Sequence, residues 1–206
     1  MEPAEPAISG LSPPRLTALP LPSYAYVPGR NPHPIRHPAG HRYGLPTPTY
    51  SALDPQHWAA SEPYLYGIDL FNHGYYWEAH EVWEGLWRAH AHTEPIALFL
   101  QALIALAAAG VKQRQGRARG VQHHGERAQA LLNQVALRLD HPRAYLGLEV
   151  DVLLRLATAL TQSLDLVVPS STRLTLSPCP PAAHERSGNS TSEGHKENMT
   201  VILNAP

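Results

Sequence analysis

Cysteine is almost absent from this chain of 206 residues, which contains Cys179 alone. A single cysteine cannot form an intramolecular disulfide or supply a thiolate metal cluster. The sequence therefore fits a reducing compartment, and we expect a cytoplasmic protein. The first residues, MEPAEPAISG, also lack the positive charge and apolar run of an export signal.

Net charge is nearly absent as well, since 16 Lys and Arg against 17 Asp and Glu leave a formal charge of -1. The chain has no overall field that would gather nucleic acid or an anionic membrane, so either partner would need a local patch. Composition therefore points to no particular partner and to no oligomeric state.

Long apolar runs are also scarce. The longest, Ile96 to Val111, is interrupted only by Gln101 and is shorter than the roughly 20 residues that a bilayer requires. Its many alanines favour close packing between helices. We expect a central buried helix here and no membrane span.

Several catalytic signatures are missing too. The sequence has no P-loop, nucleophile elbow or dinucleotide fingerprint. The stretch beginning at His80 reads HEVWE, so Glu84 stands where a zincin would need its second histidine. The paired Glu-x-x-His motifs of a di-iron bundle are absent from the helical part. No motif names a substrate.

Prolines, 21 in all, are concentrated at the two ends of the chain. Over residues 1–55 they exclude long helices, and we expect a Pro-rich extension partly packed on the core. Residues 165–206 lose hydrophobic periodicity and gain Ser, Thr and Gly, which predicts a disordered tail. The folded domain is expected over residues 56–164.

Three helix starts carry the same pattern, a capping side chain two residues before a proline. These are Ser61-Glu62-Pro63, Thr93-Glu94-Pro95 and Asp140-His141-Pro142. Gly74 and Gly116 are placed to end helices. We predict helices near 61–73, 75–90, 94–115, 118–138 and 142–163, without strands. The fold class is all-α, an array of about five antiparallel helices built on helical hairpins.

The stretch WEAHEVWEGLW, residues 77–87, concentrates carboxylates, tryptophans and a histidine in one predicted helix. His80, Glu84 and Trp87 fall within about 60° of one another on that helix. An imidazole and a carboxylate four residues apart can both reach one divalent metal ion. The alternative is structural: Glu84 accepts a hydrogen bond from His80 inside an aromatic core.

Two ligands do not hold a metal alone, so further groups are needed. His124, His41 and His33 are the candidate additional ligands. The prolines around His33 prevent a helix there, so the histidines of that segment are not aligned on a helix face. Glu81 is expected to pair with Arg88 or to face solvent. Glu81 and Glu84 are also the two candidates for a general base. The pocket is expected to be lined by Tyr76, Trp77, Trp83, Trp87, Gln101 and Lys112.

A basic cluster straddles the junction between the third and fourth predicted helices. It comprises Lys112, Arg114, Arg117, Arg119 and Arg127. Cations beside a helix N-terminus can hold a phosphate or carboxylate, and a solvated turn is the alternative. The run contains no aromatic residue for stacking on bases, which weakens the case for nucleic-acid binding.

The core resembles the DUF309 family of small helical domains. The match rests on His-x-x-x-Glu-x-x-Trp at His80, Glu84 and Trp87, and on the blocks FLQALI from Phe99 and HGERA from His124. The resemblance covers about residues 61–140. It implies a helical fold and a metal site at the motif, and it implies no reaction.

Three functions are therefore open at this point. The first is a metal or small-ligand site at His80 and Glu84, with metal-assisted hydrolysis as the chemistry if the protein is an enzyme. The second is a non-catalytic helical interaction module, in which the His80 and Glu84 pair is structural. The third is anion or nucleic-acid binding at the basic cluster between Lys112 and Arg127.

Overall fold

The computed structural model describes residues 13–162 and 175–178. A 3-10 turn at Trp58–Ala60 precedes the helices α1 (Glu62–Asn72), α2 (Tyr76–Trp87), α3 (Pro95–Arg114) and α4 (Ala118–Arg138). A hairpin of β1 (Ala144–Tyr145) and β2 (Leu148–Glu149) then leads into α5 (Val150–Gln162). The predicted all-α class and the helical array are confirmed, with this small hairpin as the exception.

Local sequence signals explain most helix ends. The Ser61 hydroxyl accepts a hydrogen bond from Tyr64 N at 3.4 Å, and Pro63 lies in the first turn of α1. Pro95 begins α3, although its N-cap is Glu94 and makes no side-chain cap. Gly74 and Gly116 follow α1 and α3 with φ of 81° and 68°, the left-handed conformation that glycine adopts without strain.

The prediction that the fifth helix begins near residue 142 is wrong. Asp140 and His141 adopt φ of 54° and 53°, so they turn the chain out of α4 and do not cap a new helix. The hairpin follows, with Leu146 and Gly147 in its turn. The strands, which were not predicted, delay the start of α5 to Val150.

Consecutive helices pack on one another, α1 on α2, α2 on α3, α3 on α4 and α4 on α5. By length and composition α3 could cross a membrane, with a mean hydropathy of 1.8 over its most apolar stretch. However, 67% of that stretch is buried inside the fold, and core helices of soluble proteins pass the same test. Its place between α2 and α4 is that of a central core helix.

The N-terminal extension lies against α1 and α2. Val27 and Leu53 are buried, and Leu53 N donates to His90 Nε2 at 2.9 Å. Asp69 of α1 accepts hydrogen bonds from the backbone N of Leu16 at 2.7 Å and of Thr17 at 2.9 Å. The extension therefore forms one wall of the folded unit.

Most of the predicted disordered tail, like Cys179, lies outside the described residues. Residues 175–178 are described, and there Leu176 is buried. Its backbone N and O bond the side-chain amide of Asn72 at 2.6 and 2.7 Å. These four residues of the predicted tail thus contact the helical core, where a buried asparagine accepts one hydrogen bond from Leu176 and donates another to it.

Candidate functional site

The helix α2 brings His80, Glu81 and Glu84 together on one surface. His80 Nδ1 lies 3.7 Å from Glu81 Oε1 and 3.9 Å from Glu84 Oε2. One ligand atom from each of the three residues lies within 4.8 Å of the others. The three side chains are about one-third exposed, at 29%, 36% and 28%. The group is therefore close enough to share an ion and open enough to admit one.

Neither carboxylate hydrogen-bonds the imidazole. Both distances exceed the usual range of about 2.7–3.2 Å for an N–H···O bond. His80 Nδ1 is nevertheless buried, and within the described part of the chain it has no hydrogen-bond partner. The structural pair offered as an alternative, with Glu84 bonded to His80, is thus not formed as a direct hydrogen bond.

Arg88 pairs with Glu84 and not with Glu81. Its Nη2 donates to Glu84 Oε1 at 2.7 Å. Of the two expectations for Glu81, pairing with Arg88 is not realised, because residues seven apart are separated by about 10.5 Å along a helix axis and residues four apart by only about 6 Å. The Glu81 side chain is 36% exposed, in keeping with the other expectation, contact with solvent. The contact fixes one oxygen of Glu84 and leaves the other facing His80.

A cavity of about 210 Å³ adjoins this group and is called the small cavity here. Its polar lining comprises His80, Glu84, Trp87, Gln101, His124 and Arg127. Its floor is Ile104, Ala105 and Ala108 of α3. The small alanine side chains of α3 leave the space into which residues of α2 and α4 point.

Two more ring nitrogens near the small cavity lack partners. Trp87 Nε1 and His124 Nδ1 are buried, and neither has a hydrogen-bond partner among residues 13–162 and 175–178. Burial lowers the pKa of His124, and the nearby charges of His123, Lys112, Arg127 and His80 lower it further. These effects favour the neutral imidazole of His124, whose Nδ1 is left without a partner among the described residues.

The aromatic residues predicted for the pocket are distributed among three places. Trp87 lines the small cavity and stacks on His92, with ring centroids 4.6 Å apart. Tyr76 is buried against Phe71, and Trp83 is fully buried beside Gly67. Trp77 packs on the extension through Tyr26. The small cavity is thus bordered by one indole ring.

Of the additional histidines proposed as ligands, only His124 shares the small cavity. His41 Nε2 lies 3.1 Å from Glu78 Oε1. His33 Nδ1 accepts from Ile35 N at 3.2 Å and from Arg36 N at 3.3 Å, and its ring packs edge-on against Trp77. His33 and His41 therefore lie within the extension, and neither lines the small cavity.

The two residues of α3 that were predicted to line the pocket, Gln101 and Lys112, lie in different places. Gln101 lines the small cavity, whereas Lys112 does not. The aliphatic part of Lys112 lies against Gly120 of α4. Lys112 therefore affects the site through its positive charge, which lowers the pKa of His124.

The members of the basic cluster have different surroundings. The Arg114 guanidinium lies 5.7 Å over the Tyr76 ring, and Arg127 lines the small cavity. Arg117 and Arg119 are exposed at the start of α4. The four arginines are thus engaged in different surroundings, and only Arg127 borders a cavity among the described residues.

Glu78 is the residue that sequence reasoning passed over. Its side chain is only 5% exposed, and its Oε1 accepts from Tyr26 N at 2.9 Å. Burial raises the pKa of Glu78, against the opposing effect of the hydrogen bonds from Tyr26 and His41. A helical wheel places Glu78 away from His80, and no sequence signal indicates that the extension would cover it.

The comparisons with known proteins agree with the predicted resemblance. A family model described as "Domain of unknown function (DUF309)" matches residues 64–123, a range that includes α2, α3 and the start of α4. His80, Glu81, Glu84 and Gln101 lie within it. No curated protein matches this chain, and no solved structure matches it.

Proposed function

Since residues 64–123 match the DUF309 family model, whose description carries no activity, we propose a function from the geometry of α2. His80, Glu81 and Glu84 bind a divalent transition-metal ion, and the small cavity admits a polar ligand beside it. The observation that carries this proposal is the convergence of one imidazole and two carboxylates within 4.8 Å, next to a cavity with unsatisfied ring nitrogens.

The distances suit an ion better than they suit direct hydrogen bonds. Zinc binds imidazole nitrogen and carboxylate oxygen at about 2.0–2.2 Å, which separates two tetrahedral ligand atoms by roughly 3.4 Å. The distances of 3.7 and 3.9 Å are within a few tenths of that separation. One nitrogen and two oxygen ligands suit zinc, manganese or iron(II), whereas calcium and magnesium prefer oxygen alone.

Three protein ligands leave the coordination of such an ion incomplete, as in catalytic zinc sites. The partial exposure of the three side chains gives water or a substrate access to the remaining position. An ion held there would lower the pKa of a bound water, so metal-assisted hydrolysis is the reaction class that we propose for this site.

The small cavity supplies groups for a ligand. Gln101 offers a donor and an acceptor, Arg127 offers positive charge, and neutral His124 has a free nitrogen among the described residues. Buried polar groups that lack partners are rare in proteins and commonly mark the place of a water, an ion or a ligand. A small anionic or polar molecule would satisfy these groups.

Metal binding by the purified full-length protein tests the proposal. After treatment with EDTA and dialysis, the protein is titrated with Co²⁺ and Zn²⁺ by calorimetry, and Co²⁺ binding is also followed by its visible absorption. We expect one ion per chain. The variants His80→Ala and Glu84→Gln should each lower the affinity by at least about tenfold, because each removes a ligand.

Matched exposed residues serve as controls. His57→Ala changes an exposed histidine just before the 3-10 turn, and Glu126→Gln changes an exposed carboxylate of α4. Both should bind as the unaltered protein does. Equal affinity in His80→Ala and the unaltered protein, with a lower Tm, would instead favour a structural role within a non-catalytic interaction module.

A further inference from the structure

A second and larger cavity lies where the N-terminal extension covers α1 and α2. Its volume is about 590 Å³, within the size range of sites for small organic ligands. It is called the large cavity here. Pro20, Leu21 and Leu45 of the extension form one side, and Tyr66, Leu70 and Val82 of the helices form the other. Much of its wall is therefore apolar.

The carboxylate of Glu78 is the most buried acidic group on this wall. Its Oε1 is occupied by Tyr26 N and by His41 Nε2, at 2.9 and 3.1 Å. Its Oε2 is buried and has no hydrogen-bond partner in the described ranges 13–162 and 175–178. A buried carboxylate oxygen without a donor is costly, since desolvation of a charged group is not offset.

The arginines near the large cavity do not form ion pairs with Glu78. Arg88 is paired with Glu84 at 2.7 Å, and Arg42 Nη2 donates to Pro46 O at 3.1 Å. Within 4.0 Å of Glu78, His41 is the only ion-pairing group found in the described part of the chain. Glu81 and Glu84 also line the cavity, so its helical wall carries further negative charge.

We propose that the large cavity binds a small organic amine. The ammonium group donates to Glu78 Oε2, and the hydrocarbon part of the ligand lies between the apolar side chains of the extension and of α1 and α2. An ammonium group supplies both the positive charge and the hydrogen-bond donors that the Glu78 carboxylate lacks. This site uses Glu78 as its anchor and does not require a metal at His80, Glu81 and Glu84.

The large cavity also depends on residues outside the matched domain. Pro20, Leu21, His41 and Leu45 belong to the extension, which precedes residue 64. The extension therefore adds a ligand site to the DUF309 domain by covering a helix face that carries a buried acid.

Calorimetry with three probes of similar shape tests the proposal. The full-length protein, freed of metal with EDTA and held at pH 7.5, is titrated with 2-phenylethylamine, 2-phenylethanol and 3-phenylpropionate. We expect one amine per chain, bound at least about tenfold more tightly than the alcohol, because the ammonium group makes a charge-assisted hydrogen bond to the carboxylate and the hydroxyl group does not. The carboxylate should bind most weakly.

Two variants locate the bound amine. Glu78→Gln preserves shape and should reduce amine affinity to that of the alcohol, whereas Glu62→Gln, at an exposed glutamate of α1, should not. Ser23→Trp fills the mouth of the cavity from an exposed lining position and should weaken amine binding while Glu78 is intact. This second variant keeps the test valid if Glu78→Gln fails to fold.

The outcomes separate clearly. Equal binding of amine and alcohol, unchanged amine affinity in Glu78→Gln or Ser23→Trp, or no amine binding at millimolar concentration would each overturn the proposal. Because all titrations use metal-free protein, failure of the proposed metal site would leave a positive result here intact. Conversely, a bound metal without amine binding would overturn this inference alone.

Discussion

Thr17 donates two hydrogen bonds to Oδ2 of Asp69, from its backbone N at 2.9 Å and from its Oγ1 at 2.7 Å. Leu16 N donates to the other oxygen at 2.7 Å, and Arg15 Nε lies 3.1 Å from the carboxylate. Asp69 is fully buried in α1. One carboxylate thus fastens the beginning of the described extension to the helical core.

Replacing Asp69 should therefore destabilise the protein substantially. We expect Asp69→Ala to lower the free energy of unfolding by about 3 kcal/mol, because several charge-assisted hydrogen bonds are lost together. Urea unfolding followed by circular dichroism measures the change. Asp151→Ala, at an exposed position of α5, should cost less than about 1 kcal/mol. Similar losses in the two variants would contradict the anchoring role of Asp69.

Gly67 allows α1 to approach the Trp83 indole. A Cβ atom added at Gly67 would lie 2.2 Å from Trp83 Nε1, inside a fully buried contact. We expect Gly67→Ala to destabilise the fold by about 1–3 kcal/mol, since overpacking outweighs the better helix propensity of alanine. Thermal and urea unfolding measure the difference.

Gly120 provides the matched helical glycine. There the added Cβ would lie 2.8–3.2 Å from Cγ, Cδ and Cβ of Lys112, the part of that side chain nearest its backbone, so Lys112 must shift. Because Lys112 is partly exposed and Trp83 is fully buried, Gly120→Ala should destabilise the fold less than Gly67→Ala, by a difference of about 1 kcal/mol or more. A Gly67→Ala variant as stable as Gly120→Ala would show that Trp83 shifts without penalty.

His124 should make stability depend on pH. Its pKa lies below the ordinary value of 6.5 in the folded protein, chiefly through burial and then through neighbouring positive charge. Between the folded and unfolded pKa values the unfolded chain holds more protons, so acidification favours unfolding. The contribution of His124 is present above pH 6.5 and is lost as the pH falls through the folded value.

Urea unfolding of metal-free protein at several pH values around 6.5 and below measures this dependence. The His124→Gln variant cannot titrate at this position, so it should lose less stability on acidification than the unaltered protein. An identical loss in both proteins would mean that other groups account for the acid sensitivity.

The positions of most helices could be predicted from residue types near the helix ends. Proline in the first turn and glycine after the last turn mark α1 and α3, because backbone sterics act within a few residues. Asp140-His141-Pro142 shows the limit of such signals. Asp140 can cap a helix or adopt the left-handed conformation, and only the hairpin that follows decides between these two outcomes.

The candidate site was only partly predictable. The spacing of His80 and Glu84 on one helix places them on a shared cavity, since the helical repeat fixes their directions. The same repeat does not say what packs on each face, so Trp83 lies in the core and Trp77 lies under the extension. The burial of Glu78 depends on the path of residues 20–45. One of its hydrogen bonds comes from the backbone amide of Tyr26, and because every residue except proline carries such an amide, the sequence does not indicate this contact.

The bond between Asn72 and Leu176 ties together positions 104 residues apart. The asparagine amide takes the place that a neighbouring strand would have, offering one donor and one acceptor to the backbone of a single residue. A shortened form of the chain that stops after α5 would remove both hydrogen bonds that this amide makes to Leu176. For recombinant work, the natural endpoint of the domain is accordingly beyond Ser177 and not at the last helical turn.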